Sequence, residues 1–259
     1  MATFIKDIDV LEASSDLKVV LDIIGEVAIN LSMIISLGDL HQAGDLELSS
    51  NNDGDEQTTL DLIADKEYFE ALRNSPVAAY VSEERENITL VNEEGTLLLA
   101  IDPLDGSSNI ETNLSVGSIF SIRKYRPISN QQLLDKQFLE PGIKQIAAGY
   151  VIFGPQTILV VTTGNGVFQF VLSRKTKQFT LTKERIQIPV NAREYAVNAS
   201  NARHWSKAMR LYIEDSNAGE LGPRDVNFNM RWVASLVAET HRILTRGGIF
   251  IYPSDSRKT

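Results

Sequence analysis

Residues 97–120 read LLLAIDPLDGSSNIETNLSVGSIF. Leu97 to Ile101 is apolar throughout, the pattern of a strand buried on both faces. The run stops at two acids, Asp102 and Asp105, with Pro103 between them forbidding a helical continuation. A turn here aims both carboxylates into one site, with the Leu104 carbonyl beside them. Gly106, Ser107 and Ser108 then offer backbone N–H groups and hydroxyls to a phosphate, above all where a helix begins. Asp-Pro and Asp-Gly are also ordinary turn pairs whose acids face water. For the pair Glu83-Glu84, at the end of AAYVSEE (78–84), that solvated reading is the stronger one; for DPLDGSSN it is the weaker.

Around this stretch the periodicity predicts a mixed α and β protein built in layers. Residues 17–36 read as a buried helix, apolar around most of its circumference, with Ser15 or Asp16 as cap. Residues 39–59, with SSNNDGDE, read as a loop. Residues 60–74 read as a second helix and 78–84 as a short strand. From 118 to 182, short apolar runs alternate with the turn signals GPQ, GNG and SRKTKQ, which favours antiparallel neighbours. Residues 125–146 read as a polar connection, 204–215 and 229–244 as helices, and 247–253 as a strand after a Gly-Gly stop.

The chain has 259 residues and a net charge of −9. An acidic surface argues against nucleic acid as the main partner. A local cluster of arginines or a metal ion can still hold a phosphorylated small molecule. Cysteine is absent, which excludes disulfides, thiol nucleophiles and thiolate metal sites. The histidines His41, His204 and His241 are widely separated, so a zinc site is disfavoured. No basic segment precedes an apolar one at the N-terminus, and no apolar run approaches ~18 residues. The expectation is a soluble, cytoplasmic protein with no membrane partner.

Asp55, Asp61, Glu83, Glu84, Asp102 and Asp105 all sit at predicted element ends. Gathering carboxylates costs repulsion and desolvation unless cations balance them. Oxygen donors suit magnesium or manganese. Two such ions roughly 3.5–4 Å apart form a clamp for phosphoryl transfer to water.

DPLDGSSNIE closely resembles the signature of class I fructose-1,6-bisphosphatases, within the lithium-sensitive, magnesium-dependent phosphatase superfamily that includes the inositol monophosphatases. The resemblance continues through GDEQTTLD (54–61), VSEE (81–84), AAGYVIFGPQTILVVTTGNGV, NAS (198–200) and RWVASLVAETHRILTRGGIFIYP (231–253). It implies an α-β-α-β-α layered fold: an N-terminal lobe over 1–184 with a largely antiparallel sheet, and a C-terminal sugar-phosphate lobe over 185–259. It implies two or three Mg2+ per subunit, with Mn2+ as an alternative, held by Glu83, Asp102, Asp105, the Leu104 carbonyl and Asp55. Glu84 and Asp61 would orient or deprotonate the attacking water. Gly106, Ser107 and Ser108 would hold the 1-phosphate. Asn198, Arg231 and Tyr252 would bind the other phosphate, and the resemblance allows Arg231 to reach into a neighbouring subunit of a dimer or tetramer. Ser235, one helical turn beyond Arg231, could face the sugar. Without the resemblance, Asn198 reads as a turn residue, Tyr252 as a core aromatic and Arg231 as a surface cation.

The sequence also departs from the family. Trp232 and Asn201 stand where tyrosines are common. Ser14-Ser15-Asp16 and Thr96-Leu97 stand where animal members bind AMP, so inhibition of that type is not expected. The family continues beyond the YP strand with a cation and a further glutamate. The chain therefore reads as a fragment or a short form, truncated in its C-terminal lobe and weakly active as it stands. The leading reading is hydrolysis of the 1-phosphate of fructose 1,6-bisphosphate. The alternatives are a sedoheptulose 1,7-bisphosphatase, an inositol or nucleotide phosphatase, and a non-catalytic relative.

Overall fold

The computed structural model describes residues 3–38, 49–50, 56–57, 59–127 and 131–254. The chain divides into two compact units, Met1–Ile186 and Gln187–Thr259.

The first unit opens with α1, Ser15–Leu37. Its cap is Ser14, whose side chain accepts from the Leu17 N–H, one residue earlier than the sequence suggests. By length and composition α1 could cross a bilayer, although no unbroken apolar run of that length exists. Here Val20, Leu21, Ile24 and Leu31 are buried in the core of the unit. Asp22, on the same helix, accepts the backbone N–H groups of Phe4 and Ile5 at 2.8 Å each and pins the N-terminal segment.

In the expected 39–59 loop, the described residues β1 (Ser49–Ser50) and β2 (Glu56–Gln57) pair antiparallel. Next come α2 (Thr59–Leu72), β3 (Val77–Ser82), β4 (Thr89–Leu90) and β5 (Leu97–Asp105). They are followed by β6 (Val116–Lys124), α3 (Gln131–Phe138), β7 (Gln145–Phe153), β8 (Thr157–Thr162), β9 (Val167–Ser173) and β10 (Gln178–Lys183). The helix α3 lies inside the stretch read as a polar connection; Leu134 is its buried anchor.

Eight strands form one sheet in the order β10-β9-β8-β7-β6-β5-β3-β4. Every pairing is antiparallel except β3 with β5. Gly149 of β7 allows close approach at the sheet's centre: a Cβ there would lie 2.5 Å from the Val160 carbonyl and 2.6 Å from the Phe120 ring.

The apolar run of β5 is buried on both faces. Leu97, Leu99 and Ile101 join the main core, while Leu98 packs with Ala79 and Leu134 on the other side. The strand continues past Ile101 to Asp105, through a bulge. Asp102 pairs with Ile119 and Asp105 with Gly117, so Pro103 and Leu104 together oppose Ser118.

The second unit contains β11 (Glu194–Val197), α4 (Lys207–Ala218), β12 (Asn229–Met230), α5 (Leu236–Arg246) and β13 (Ile249–Ile251). β11 is the central strand, parallel to both β12 and β13. The helix predicted over 229–244 is broken here. Asn229 and Met230 pair with β11, the Arg231 N–H donates to the Tyr195 carbonyl at 2.8 Å, and Ala234 takes a left-handed φ of 60°. Ser235 then caps α5, accepting from the Ala238 N–H. The expectation that Arg231 and Ser235 share a helix face is therefore wrong.

Candidate active site

In a sheet that is otherwise antiparallel, the parallel pair β3–β5 brings two C-terminal strand ends to one edge. Ser82 registers with Ile101, and the Glu83 N–H donates to the Ile101 carbonyl at 3.1 Å. Glu83 thus leaves β3 beside Asp102 of β5. Asp61, in the first turn of α2, supplies a buried carboxylate to the same neighbourhood.

The electrostatics record this crowding. The Asp102 carboxyl is pushed up to about 7, first by burial, then by the charges of Asp105 and Glu83, with Asp61 adding to them. One interaction opposes the rise: the Leu104 N–H donates to Asp102 Oδ1 at 3.0 Å. The donors gathered here are carboxylate oxygens, which fit a hard divalent cation. Among the described residues, no three such side chains already form a closed set around one ion position. The carboxylates are neighbours that repel, and a dication would offset that repulsion. Asp55 lies outside the described residues.

Glu84 follows Glu83, its backbone N–H donating to Ser82 Oγ at 3.2 Å. That bond turns the backbone just after the last residue of β3.

After Asp105 the chain turns through Gly106, whose φ of 77° is left-handed and suits glycine. The helix anticipated there is only a three-residue 3₁₀ turn, Ser107–Asn109. The N–H groups of Asn109 and Ile110 close it onto the carbonyls of Gly106 and Ser107. Within this turn Ser107 is partly buried and Ser108 exposed, directly after Asp105.

A second set of predicted residues lies in the second unit. Asn198 Oδ1 accepts from the Ser200 N–H and hydroxyl and caps the 3₁₀ turn Ala199–His204. Arg231 is half exposed, with its Nε 3.5 Å from Glu194 Oε1. Glu194 is buried, and Arg242 and Arg246 also pair with it. Ser235 is buried as the α5 cap. Tyr252 is 76% exposed, not a core aromatic, and its ring stacks on Phe250, which in turn stacks on Trp232.

Sequence reading missed the polar contacts behind the carboxylates. Asp65 accepts from the Tyr80 hydroxyl at 3.0 Å and from Arg85 Nε at 2.7 Å. Tyr68 and Ser118 hydrogen-bond in the core. Asp61, Asp65, Tyr68 and Leu72 follow helical spacing, so this face of α2 carried a signal. The two positions compared with an AMP site also meet: the Thr96 hydroxyl donates to Asp16 Oδ2 at 2.6 Å.

Two family models match the chain: "Fructose-1-6-bisphosphatase, N-terminal domain" over residues 3–184 and "Fructose-1-6-bisphosphatase, C-terminal domain" over 188–259. The chain is similar to "Fructose-1,6-bisphosphatase class 1 1" of Cereibacter sphaeroides (strain ATCC 17025), at 50% identity over 244 residues. That match covers 94% of this chain and 72% of the relative. The protein of the same name from Bradyrhizobium sp. (strain BTAi1) is 49% identical over 245 residues, covering 95% and 70%. Among solved structures, Leishmania major fructose-1,6-bisphosphatase in holo form superposes with a TM-score of 0.90 at 28% identity, covering 100% of this chain and 81% of that one. Its T-state structure gives a TM-score of 0.81, covering 95% and 75%.

Proposed function

The chain belongs to the fructose-1,6-bisphosphatase family, and from that premise we propose that it hydrolyses the 1-phosphate of fructose 1,6-bisphosphate, giving fructose 6-phosphate and phosphate. The observation that carries this reading is the parallel β3–β5 pair, which sets Glu83 beside Asp102 and next to a phosphate-suited turn. The proposed cofactor is Mg2+, two or three ions per subunit, with Mn2+ able to substitute. Glu83, Asp102, Asp105, the Leu104 carbonyl and Asp55 would hold it. When bound, it supplies positive charge against the developing charge on the phosphoryl oxygens and acidifies water.

The remaining steps belong to the chain's own groups. Gly106, Ser107 and Ser108 hold the 1-phosphate through amides and hydroxyls. Glu84 and Asp61 orient a water molecule and take its proton as its oxygen attacks phosphorus. The bond from phosphorus to the sugar's C1 oxygen breaks, and that oxygen takes a proton from solvent, while the carboxyl that accepted the water's proton returns it to solvent. Asn198, Arg231 and Tyr252 bind the second phosphate, and Ser235, as the α5 cap, fixes the start of that helix. In this division the lobe 1–184 does the chemistry and 185–259 reads the sugar phosphate. Thr96 and Leu97 stand where the animal-type nucleotide site has a cation and an aromatic ring, and on that ground we propose that inhibition of that type does not operate here; the Thr96 hydroxyl is engaged by Asp16 instead. On the strength of family resemblance, we also propose a cytoplasmic homodimer or homotetramer acting in carbohydrate metabolism, in gluconeogenesis or the Calvin cycle.

The test is phosphate release from fructose 1,6-bisphosphate, sedoheptulose 1,7-bisphosphate and inositol 1-phosphate, each with Mg2+ and with chelator. The highest kcat/KM is expected for fructose 1,6-bisphosphate, with turnover lost in chelator. Preference for inositol 1-phosphate, or equal turnover in chelator, contradicts the proposal.

A further inference from the structure

The bulge in β5 is held by a continuous chain of hydrogen bonds running from α2 to the carboxylate of Asp102. The Ser118 hydroxyl donates to the Pro103 carbonyl at 2.7 Å. The N–H of that same peptide group, on Leu104, donates to Asp102 Oδ1 at 3.0 Å. Tyr68, on α2, contacts Ser118 Oγ at 3.0 Å. The direction of each bond is fixed. A carbonyl can only accept, so the single Ser118 proton is committed to Pro103 and Tyr68 must be the donor to Ser118. Burial keeps the tyrosine hydroxyl protonated, with its pKa raised well above the usual range by desolvation. Tyr68 and Ser118 are fully buried, and Leu104 is nearly so.

The geometry of the bulge makes this arrangement necessary. Pro103 has no N–H for the ladder, and two β5 residues oppose Ser118 alone. The Ser118 hydroxyl gives the Pro103 carbonyl a donor within the bulge and sets the plane of the peptide between Pro103 and Leu104. That plane decides where the Leu104 N–H points, and so which oxygen of Asp102 is tied back and which is left outward. Bonds in such a chain also polarise one another in a low-dielectric core.

We propose that Tyr68 and Ser118 are positioning residues of the carboxylate site, acting through the Pro103–Leu104 peptide to fix Asp102 for a divalent cation. The proposal rests on the reading of Asp102 as a cation ligand. The competing reading is that the pair merely fastens α2 to β6. Groups that orient ligands in this way typically change metal affinity by about ten- to hundredfold when removed, whereas a fastening contact changes stability alone.

The experiment measures Mn2+ binding calorimetrically on the full chain, without substrate, alongside thermal melts. Tyr68→Phe keeps the ring and removes the hydroxyl; roughly three- to tenfold weaker Mn2+ binding is expected. Ser118→Ala is expected to weaken binding about tenfold or more. The double variant should bind no more weakly than Ser118→Ala, because one relay is cut in both. Ser118→Thr retains the hydroxyl and should restore affinity, which also covers the case in which Ser118→Ala does not fold. Tyr80→Phe removes a buried tyrosine hydroxyl that serves Asp65, so it should lower the melting temperature without changing Mn2+ affinity. Wild-type affinity in folded Tyr68→Phe and Ser118→Ala, or additive losses in the double variant, overturns the relay. A wild-type chain that takes up no Mn2+, or an Asp102→Asn variant that binds it as tightly as wild type, overturns the ligand reading and the relay with it.

Discussion

The backbone N–H of Glu83 donates to the carbonyl of Ile101 at 3.1 Å, extending the parallel β3–β5 ladder one residue past the last strand pair. That bond fixes where the Glu83 side chain leaves the sheet. Glu83 is exposed and adds little to the core, so Glu83→Gln should fold like the wild type. Loss of one anionic ligand is expected to raise the Mg2+ concentration needed for half-maximal turnover tenfold or more, by the scale of a charge-assisted contact of roughly 1.5–3 kcal/mol. An unchanged Mg2+ dependence would remove Glu83 from the ligand set.

Asp102 gives a pH prediction for the metal-free chain. Its carboxyl sits near 7 when folded and near the ordinary 3.8 when unfolded. Between those values the folded state holds a proton that the unfolded state has released. Stability is therefore highest at the low end of the window, falls as pH rises through it, and levels off above 7. The slope approaches about 1.4 kcal/mol per pH unit where only the folded chain is protonated. Asp102→Asn keeps an acceptor for the Leu104 N–H and cannot titrate. In chelator at pH 8 it should melt above the wild type, and the gap should narrow toward pH 5. A gap that widens toward acid would show that Asp102 is not destabilised by its neighbours.

Arg231 and Glu194 form the corresponding test in the second unit. Arg231→Ala should raise KM for fructose 1,6-bisphosphate roughly ten- to hundredfold while leaving kcat within a few-fold, the signature of binding lost at a phosphate remote from the reacting bond. Glu194→Gln leaves Arg231, Arg242 and Arg246 with Glu239 as the remaining carboxylate of the cluster. Because Arg231 and Arg246 are half exposed, a destabilisation of about 1–3 kcal/mol is expected, below that for a fully buried pair. Chemical denaturation measures it directly, and a melt identical to wild type would show that the cluster contributes nothing.

Ala234 holds a φ of 60°, in the region that costs a non-glycine residue about 1–2 kcal/mol. Ala234→Gly should relieve that strain, partly offset by the extra freedom glycine gains when unfolded. A net change between about 0 and +1 kcal/mol is expected in denaturant unfolding. A loss of more than 1 kcal/mol would mean that the methyl group's packing outweighs the backbone strain.

The strand at 97–101 was legible because both of its faces are covered by apolar neighbours, leaving an unbroken hydrophobic run. The acids were legible as element ends. That Glu83 and Asp102 are side by side was implied by the family resemblance and not by the residues' own pattern, because it depends on a parallel pairing between segments separated by β4. The helix α3 escaped notice because QQLLDKQF carries one fully buried anchor, Leu134, in a polar sequence. Residues 229–244 looked like one amphipathic helix because local periodicity cannot report that Asn229 and Met230 are claimed by β11. The relay through Ser118 was hidden for a similar reason: it exists only once Pro103 and Leu104 bulge against β6.

The most direct measurement of the central claim is anomalous diffraction from crystals of this chain soaked in Mn2+, recorded at the manganese edge. The expected result is at least one strong peak at the joint C-terminal end of β3 and β5, within about 2.0–2.6 Å of carboxylate oxygens from Glu83, Asp102 and Asp105. A fully soaked crystal with no peak there, or with manganese bound only at other carboxylates, would contradict it.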